Sequence, residues 1–291
     1  MSKEELVAPQ ETDVAYPIEE DEFDGYNQGS LFEVMAKLKI PKDSKSMAMM
    51  LGKDELLTQK EYIVVCIDIE EVRALWPISE EEVLPICKTK HSRPGSLRIG
   101  GIGFARADMI VDDNEPYDDP DESMIAEGIL KYECQKCRWN KFGSQAEWNN
   151  NKSGKGKACT DSRLVVFRLV ERDAEGNLEA NFNSPLCHVV APPSSLSAVG
   201  SIFNFALARK IPYRFIVFKI ENELHKEGNR SWGSLKITPH GFINPVQANE
   251  LTEEHIRVRE DLRAMPAIII RHNEEGDPSR SASKSDEDIP F

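Results

Sequence analysis

The order of apolar and polar positions along the chain predicts a fold made mainly of β-strands. Residues 61–69 alternate between two sets of side chains, as the two faces of a strand do: Tyr62, Val64, Cys66 and Asp68 against Ile63, Val65, Ile67 and Ile69. Similar patterns predict a strand or bent hairpin at 97–111 and strands at 163–171, 186–191, 213–223 and 232–238. Helical spacing predicts one or two short helices in 31–60, interrupted at Pro41, and longer helices near 194–209 and 252–263. A further helix start is predicted at Ser79, with Ser79 as the N-cap and Glu82 as the second residue of a capping box.

These elements predict an α+β, mainly β fold. Five or six short strands with an inserted cysteine-bearing loop are typical of an OB-like small barrel with an inserted zinc-binding loop, flanking helices and disordered acidic termini. Residues 1–30 are expected to be a disordered acidic arm. Residues 31–268 are expected to be the OB-like nucleic-acid-binding domain, with the zinc module around 85–160. Residues 269–291 are expected to be a flexible linker and an acidic partner-binding tail.

The net charge of −14 is unevenly distributed. Residues 1–25 contain nine acids and one Lys, and residues 112–130 contain eight acids and no base. Residues 272–291 contain six acids and two bases. The remaining chain is therefore mildly basic, which permits binding to a polyanion despite the acidic total. No segment reaches the roughly 20 apolar residues of a membrane-spanning helix, and no signal peptide is evident, so we expect a cytoplasmic protein.

In a reducing compartment, the six cysteines are expected to be thiols or metal ligands. Cys134 and Cys137 form a CxxC motif, and Cys159 follows after a stretch with little periodicity. A tetrahedral structural zinc site needs four ligands. The candidates for the fourth ligand are Cys87 and His91 upstream, or Cys187 and His188 downstream. Cys66 lies in an apolar strand and is expected in the core. The alternative is a redox pair or unrelated thiols.

The cysteine region also resembles a known group of proteins. Residues 133–144, from Glu133 through the CxxC to Ser144, and residues 154–159 are similar to a cysteine-rich segment of a family of phage-encoded proteins. Pro192 to Leu196 matches a further element of that family. The resemblance covers about residues 85–240 and departs from the family in the acidic insert 112–130. In broader architecture the chain resembles the zinc-containing single-stranded-DNA-binding protein of T-even phages. The resemblance implies Cys87 as fourth zinc ligand, and a phage protein acting in the cytoplasm of a bacterial host cell.

Cations and aromatic residues surround the cysteines, a combination that single-stranded nucleic acid requires for phosphate neutralisation and base stacking. The candidate DNA-binding residues are Lys88, Lys90, Arg93, Arg98, Arg106, Lys136, Arg138, Trp139, Lys141, Phe142, Trp148, Lys152, Lys155 and Lys157. Trp139 and Phe142 could instead pack beneath the cysteine loop, whereas Phe167 and Phe218 are expected in the core. The segment Gly154-Lys155-Gly156-Lys157 lacks the ending of a nucleotide-binding P-loop.

The last six residues resemble the ending of bacterial single-stranded-DNA-binding proteins, an acidic run followed by Ile-Pro-Phe. They are Asp286, Glu287, Asp288, Ile289, Pro290 and Phe291. The acids would steer this tail toward basic surfaces, and Ile289 and Phe291 would enter an apolar pocket. The tail is therefore predicted to recruit host or phage replication and repair proteins.

Two other functional classes compete with single-stranded DNA binding. An enzyme is disfavoured because the chain lacks the common hydrolase, metalloprotease and deaminase motifs. An adaptor that imitates the tail of the host's single-strand-binding protein, without binding DNA itself, is the stronger alternative.

Phe291→Ala tests the recruitment hypothesis. The variant removes one apolar anchor but no charge, so binding to tail-reading host proteins should weaken by about 2 kcal/mol or more, while the affinity for oligo-dT stays constant. Deletion of residues 272–291 should raise DNA affinity at low salt, because it removes net negative charge. If Phe291→Ala leaves partner binding unchanged, the tail acts through its charge alone and the recruitment hypothesis is wrong. Both affinities are measurable by fluorescence anisotropy.

Overall fold

The computed structural model describes residues 31–75, 85–94, 101–106, 129–148, 155–228 and 230–265. The predicted acidic arm, the helix start at Ser79, the acidic loop 112–127 and the tail lie outside the described residues.

Twelve strands and four α-helices make up the described part of the chain. The strands are β1 (Ala36–Lys39), β2 (Met47–Leu51), β3 (Asp54–Gln59), β4 (Glu61–Leu75), β5 (Cys87–Thr89), β6 (Ile102–Arg106), β7 (Ile129–Glu133), β8 (Cys159–Arg172), β9 (Leu178–Ala180), β10 (Cys187–Ala191), β11 (Ile216–Glu227) and β12 (Arg230–Phe242). The helices are α1 (Leu31–Val34), α2 (Ser144–Trp148), α3 (Leu196–Arg209) and α4 (Ala248–Ala264). None of these helices is long and apolar enough to cross a membrane.

The strands form one mostly antiparallel sheet in the order β3-β2-β1-β10-β8-β4-β5-β6-β7. The hairpin of β11 and β12 pairs with the first half of β4, and β9 pairs with the end of β8. Among the strands that the structure describes, only β1 and β10 run parallel. The β-dominated mixed class predicted from the sequence is confirmed. Among the described strands, however, the sheet is open, and no pairing between β3 and β7 closes it into a barrel.

Strand β4 is the centre of the sheet and is buried on both faces. On one face, Val64, Cys66 and Ile69 join the core cluster that packs beneath α3. On the other face, Val65 and Ile67 join a second cluster with residues of α4. A β-bulge between Cys66 and Asp68 shifts the alternation, so that Ile69 faces the same core as Cys66.

Most of the predicted elements are present with small changes of boundary. The strands at 61–69, 163–171, 186–191, 213–223 and 232–238 correspond to β4, β8, β10, β11 and β12, and the two longer helices correspond to α3 and α4. Cys66, Phe167 and Phe218 are core residues, as predicted. The helices predicted in 31–60 are wrong beyond α1, because this segment forms β1, β2 and β3. Burial of Leu38, Met47 and Met49 against the sheet overrides the helical preference of these residues.

Two carboxyl groups are buried side by side where β4 meets α4. Asp68 and Glu70 are both 0% exposed. Arg259 Nη2 donates to Asp68 Oδ1 over 2.9 Å, and Arg263 Nη2 donates to Glu70 Oε1 over 2.6 Å. Burial, and then the charge of Asp68, raise the pKa of Glu70 to about 7, although Arg263 opposes the shift. Glu70 is therefore partly protonated near neutral pH.

The raised pKa predicts a specific pH dependence of stability. Between the ordinary glutamate pKa and about 7, the folded protein binds a proton that the unfolded chain does not. This group therefore makes the free energy of unfolding increase as the pH falls through that window. Glu70→Gln should remove the increase, which we expect to be on the order of 1–3 kcal/mol, in urea unfolding measured between pH 5 and 8.

The matched control is Glu223→Gln, which changes an exposed carboxylate on β11 and should follow the wild-type pH dependence. If wild type and Glu70→Gln show parallel pH profiles, Glu70 does not titrate in this window.

Candidate metal centre and adjoining cleft

Three neighbouring strands bring two of the cysteines onto one face of the sheet. Leu75 at the end of β4 pairs with Cys159 of β8 on one side and with Cys87 of β5 on the other. Directly paired residues point to the same face of a sheet. Cys87 and Cys159 therefore flank Leu75, although 71 positions separate them in the sequence.

The CxxC motif reaches the same face through a tight turn after β7. The amide of Cys134 donates to Gly101 O over 2.8 Å, and the amide of Cys137 donates back to Glu133 O over 3.2 Å. Asn140 Nδ2 holds the turn by donating to Cys134 O over 2.8 Å. The core of this module contains Trp139, whose ring contacts Trp148 edge-on at 4.7 Å between centroids.

The four cysteines Cys87, Cys134, Cys137 and Cys159 line one cavity of about 20 Å³, together with Leu75, Gly103, Tyr132 and Asn140. That volume suits one occupant about the size of a water molecule. All six cysteines of the chain are free thiols. Among the described residues, no three or more thiol, imidazole or carboxylate groups are already arranged as a metal site. The four thiols therefore line one cavity without already forming a metal site.

At Gly103 the backbone of β6 lies close to two of the thiols. A Cβ atom at this position would lie 2.7 Å from Cys87 Sγ and 3.5 Å from Cys134 Sγ. Any side chain on β6 here would therefore displace Cys87. The donor set also fits zinc chemically, since four thiolates are a common ligand set of structural zinc sites.

The charges around the cavity bear on the state of the thiols. Burial raises the pKa of the Cys87, Cys134 and Cys159 thiols, and neighbouring cysteines raise it further. The Arg73 guanidinium opposes this shift at Cys134 and Cys159. Arg73 is held in place by Asp161, with 2.5 Å between Nε and Oδ1. Because a metal binds thiolates, binding here would release protons and weaken as the pH falls.

The other candidates for a fourth ligand lie outside the cavity. His91 is buried but does not line it, and burial lowers the pKa of His91 to about 3. Cys187 pairs with Phe167, which is eight residues along β8 from Cys159, or about 26 Å. His188 follows Cys187 on the same strand. The geometry thus groups Cys87, and none of these alternatives, with the CxxC motif and Cys159.

One predicted aromatic residue is presented to solvent beside several cations. Phe142 is 83% exposed, and Lys157 Nζ lies 5.3 Å from the centre of its ring. The amide of Gly143 donates to Lys155 O and Gly156 O, which joins the two loops that carry these residues. We call Lys141, Phe142, Lys155 and Lys157 the platform. All but Lys157 are exposed.

The remaining predicted DNA-binding residues are dispersed. Trp139 is only 5% exposed and belongs to the core of the module, so its ring cannot stack on a base in this conformation. Trp148 is half-buried against it. Lys136 and Arg138 form ion pairs with Glu133 and Glu147. The other predicted positions separate into three groups: Lys88 and Lys90 on the opposite sheet face from Cys87, Arg93 in the cleft described next, and Arg98, Lys152 and the Arg106 side chain outside the described residues.

A cleft that the sequence did not reveal adjoins the thiol cavity. Beyond Leu75 and Cys159, the same sheet face carries the pairs Arg73–Asp161 and Glu71–Arg163, and then Ile69–Val165 of the core. The first turns of α3 form one wall of the cleft, and Gln135, Asn140 and Lys157 of the cysteine module form another. The signal was the pair of charged residues at alternate positions in each of two strands, Glu71 and Arg73 in β4 and Asp161 and Arg163 in β8. They could not be assigned to one surface without the register between β4 and β8.

Comparison with protein-family models, with curated proteins and with solved structures finds no match to this chain. The resemblances noted in the sequence therefore stay predictions.

Cys87→Ser tests the proposed ligand set. We expect about one zinc ion per chain for the wild type by elemental analysis, because four thiols line one cavity. The variant should lose zinc to a chelator at much lower concentration than the wild type. Cys66→Ala is the matched control, since this thiol lies in the core and should not affect the metal. Unchanged zinc retention in Cys87→Ser would contradict the assignment of Cys87 as a ligand.

Proposed function

We propose that this protein binds single-stranded DNA and that a structural zinc ion stabilises the module that carries the platform. The observation that carries the proposal is the platform itself. A highly exposed aromatic ring with Lys157 beside it, in loops that also carry the exposed Lys141 and Lys155, offers a stacking surface for a base and cations for the flanking phosphates. The Phe142 ring buries little apolar surface in the fold, so removing it should cost little stability.

The cysteine residues would hold the zinc ion, and the ion would supply folding free energy to a segment with a small core. The chain's own residues position the platform. Asn140 fixes the CxxC turn through Cys134 O and also accepts a hydrogen bond from Lys157 Nζ over 3.2 Å. Lys157 is therefore held between the cavity and the ring of Phe142. Stabilising the turn would stabilise the platform with it.

The architecture is compatible with this function without requiring a closed barrel. Of the OB-like barrel predicted for residues 31–268, the proposal keeps a β-rich domain that binds nucleic acid. It does not include a closed barrel. Recruitment of replication and repair proteins by residues 286–291 is the second part of the proposal, and it depends on the sequence resemblance alone.

Phe142→Ala tests the proposal directly. The wild type should bind labelled oligo-dT, with an affinity that decreases as the salt concentration rises. The variant should bind more weakly by about 1–3 kcal/mol, the usual value of one base–aromatic stack. Phe242→Ala is the matched control, because Phe242 is also exposed, at 49%, but lies at the end of β12 away from the platform.

The adaptor hypothesis predicts the opposite result. If a variant that lacks residues 272–291 shows no affinity for oligo-dT at low salt, the protein does not bind single strands and the proposal fails.

A further inference from the structure

The cleft consists of two adjoining concave regions with volumes of about 650 and 720 Å³. Arg163, Gly200 and Asn204 line both, so the two surfaces form one continuous depression between α3 and the sheet. One end lies beside Asn140 and Lys157 of the cysteine module, and the other lies beside Tyr213 and Arg259.

The lining of the cleft is cationic. Five basic side chains face it against two carboxylates: Arg73, Arg93, Lys157, Arg163 and Arg259 against Glu71 and Asp161. Some of these charges are already paired. Arg259 is engaged with Asp68, and Asp161 is shared between Arg73 and Lys157.

Arg163 occupies the middle of the cleft. Its Nη1 donates to Leu196 O over 3.1 Å, and no carboxylate of the described residues lies within ion-pair distance of it. Two buried donors of the lining, Arg163 Nε and Arg73 Nη1, also have no acceptor among the described residues. Asp161 already compensates the charge of Arg73, so Arg163 Nε is the donor that an anion in the cleft would satisfy.

Helix α3 presents small polar groups to the same space. Ser197, Gly200 and Asn204 follow at helical spacing along one side of α3 and line the cleft. The N-terminal turn of this helix carries the positive end of the helix dipole, which favours phosphate. At Gly200 the absence of a side chain leaves the cleft open.

We propose that this cleft binds the sugar-phosphate backbone of the single strand. The inference rests on the proposed function and extends it, because it assigns the strand a path that no predicted residue except Arg93 and Lys157 had indicated. Lys157 lines the cleft and lies over the ring of Phe142, so the path continues into the platform. The platform supplies base stacking, and the cleft supplies phosphate contacts.

Substitutions at Gly200 test the path without changing any charge. A Cβ at this position would meet only Arg163 Nη1, at an ordinary distance of 3.5 Å, so Gly200→Ala should fold and bind oligo-dT as the wild type does. Gly200→Leu places a larger apolar group in the cleft and should weaken oligo-dT binding about tenfold or more. Thermal melting of both variants checks that the fold is retained.

Arg163→Gln tests the charge. It should lower the slope of the logarithm of the binding constant against the logarithm of salt concentration by about 0.7, as expected for one lost contact with a phosphate of a single strand. Arg172→Gln is the matched control, since it removes an exposed arginine at the far end of β8 and should leave the slope unchanged.

The results separate the two proposals. If the wild type binds oligo-dT and Phe142→Ala weakens it, but folded Gly200→Leu and Arg163→Gln bind like the wild type, the cleft inference is overturned and the proposed function stands. If the wild type does not bind oligo-dT at all, both fail. If only a peptide of residues 280–291 binds the cleft, in an Arg163-dependent manner, the cleft accommodates the acidic tail and the inference is likewise overturned.

Discussion

The bulge between Cys66 and Asp68 determines what each face of β4 carries, because the side chains of a strand alternate with a period of two. Before the bulge, even-numbered residues face the core beneath α3, and after it odd-numbered residues do. Ile69 therefore completes that core, Glu71 and Arg73 line the cleft, and Leu75 reaches the thiol cavity. Without the extra residue, Arg73 and Leu75 would turn to the opposite face, and Leu75 would no longer lie between Cys87 and Cys159.

The second half of β4 buries four charged residues, which is unusual for a central strand. Asp68, Glu70, Glu71 and Arg73 are all less than 9% exposed. Burying charges rarely adds stability, since well-packed apolar residues of similar volume often serve as well. Their positions offer a different explanation. Asp68 holds Arg259 at one end of the cleft, and Arg73 lies between the cleft and the thiol cavity. Asp68 and Glu70 thus hold Arg259 and Arg263 of α4 against the central strand.

How much could be predicted from the sequence depended on whether a feature was local. Cys134 and Cys137 are close in sequence, so it was predictable that they lie at one site. Apolar alternation located β8 and β10. Cys87 was one of several candidates, because only the pairing of β5 with β4 brings it to Cys159. Arg163 was not identified at all, since its role depends on a register that no periodicity shows. The two alternatives for Trp139 could not be separated, because polar neighbours in sequence do not reveal that a ring packs into a small core.

The thiol cavity and the cleft are coupled through a short chain of polar contacts. Asp161 accepts from Arg73 on the cavity side and from Lys157 on the platform side, and Asn140 connects Lys157 to the backbone of Cys134. A change in the position of the CxxC turn would therefore move the cations of the cleft and the lysine above Phe142 together. Since the core of the module is small, whatever stabilises the four thiols also determines the geometry of the surface beside them. A metal site in this protein would thus control the geometry of the platform and of the cleft without lying in either.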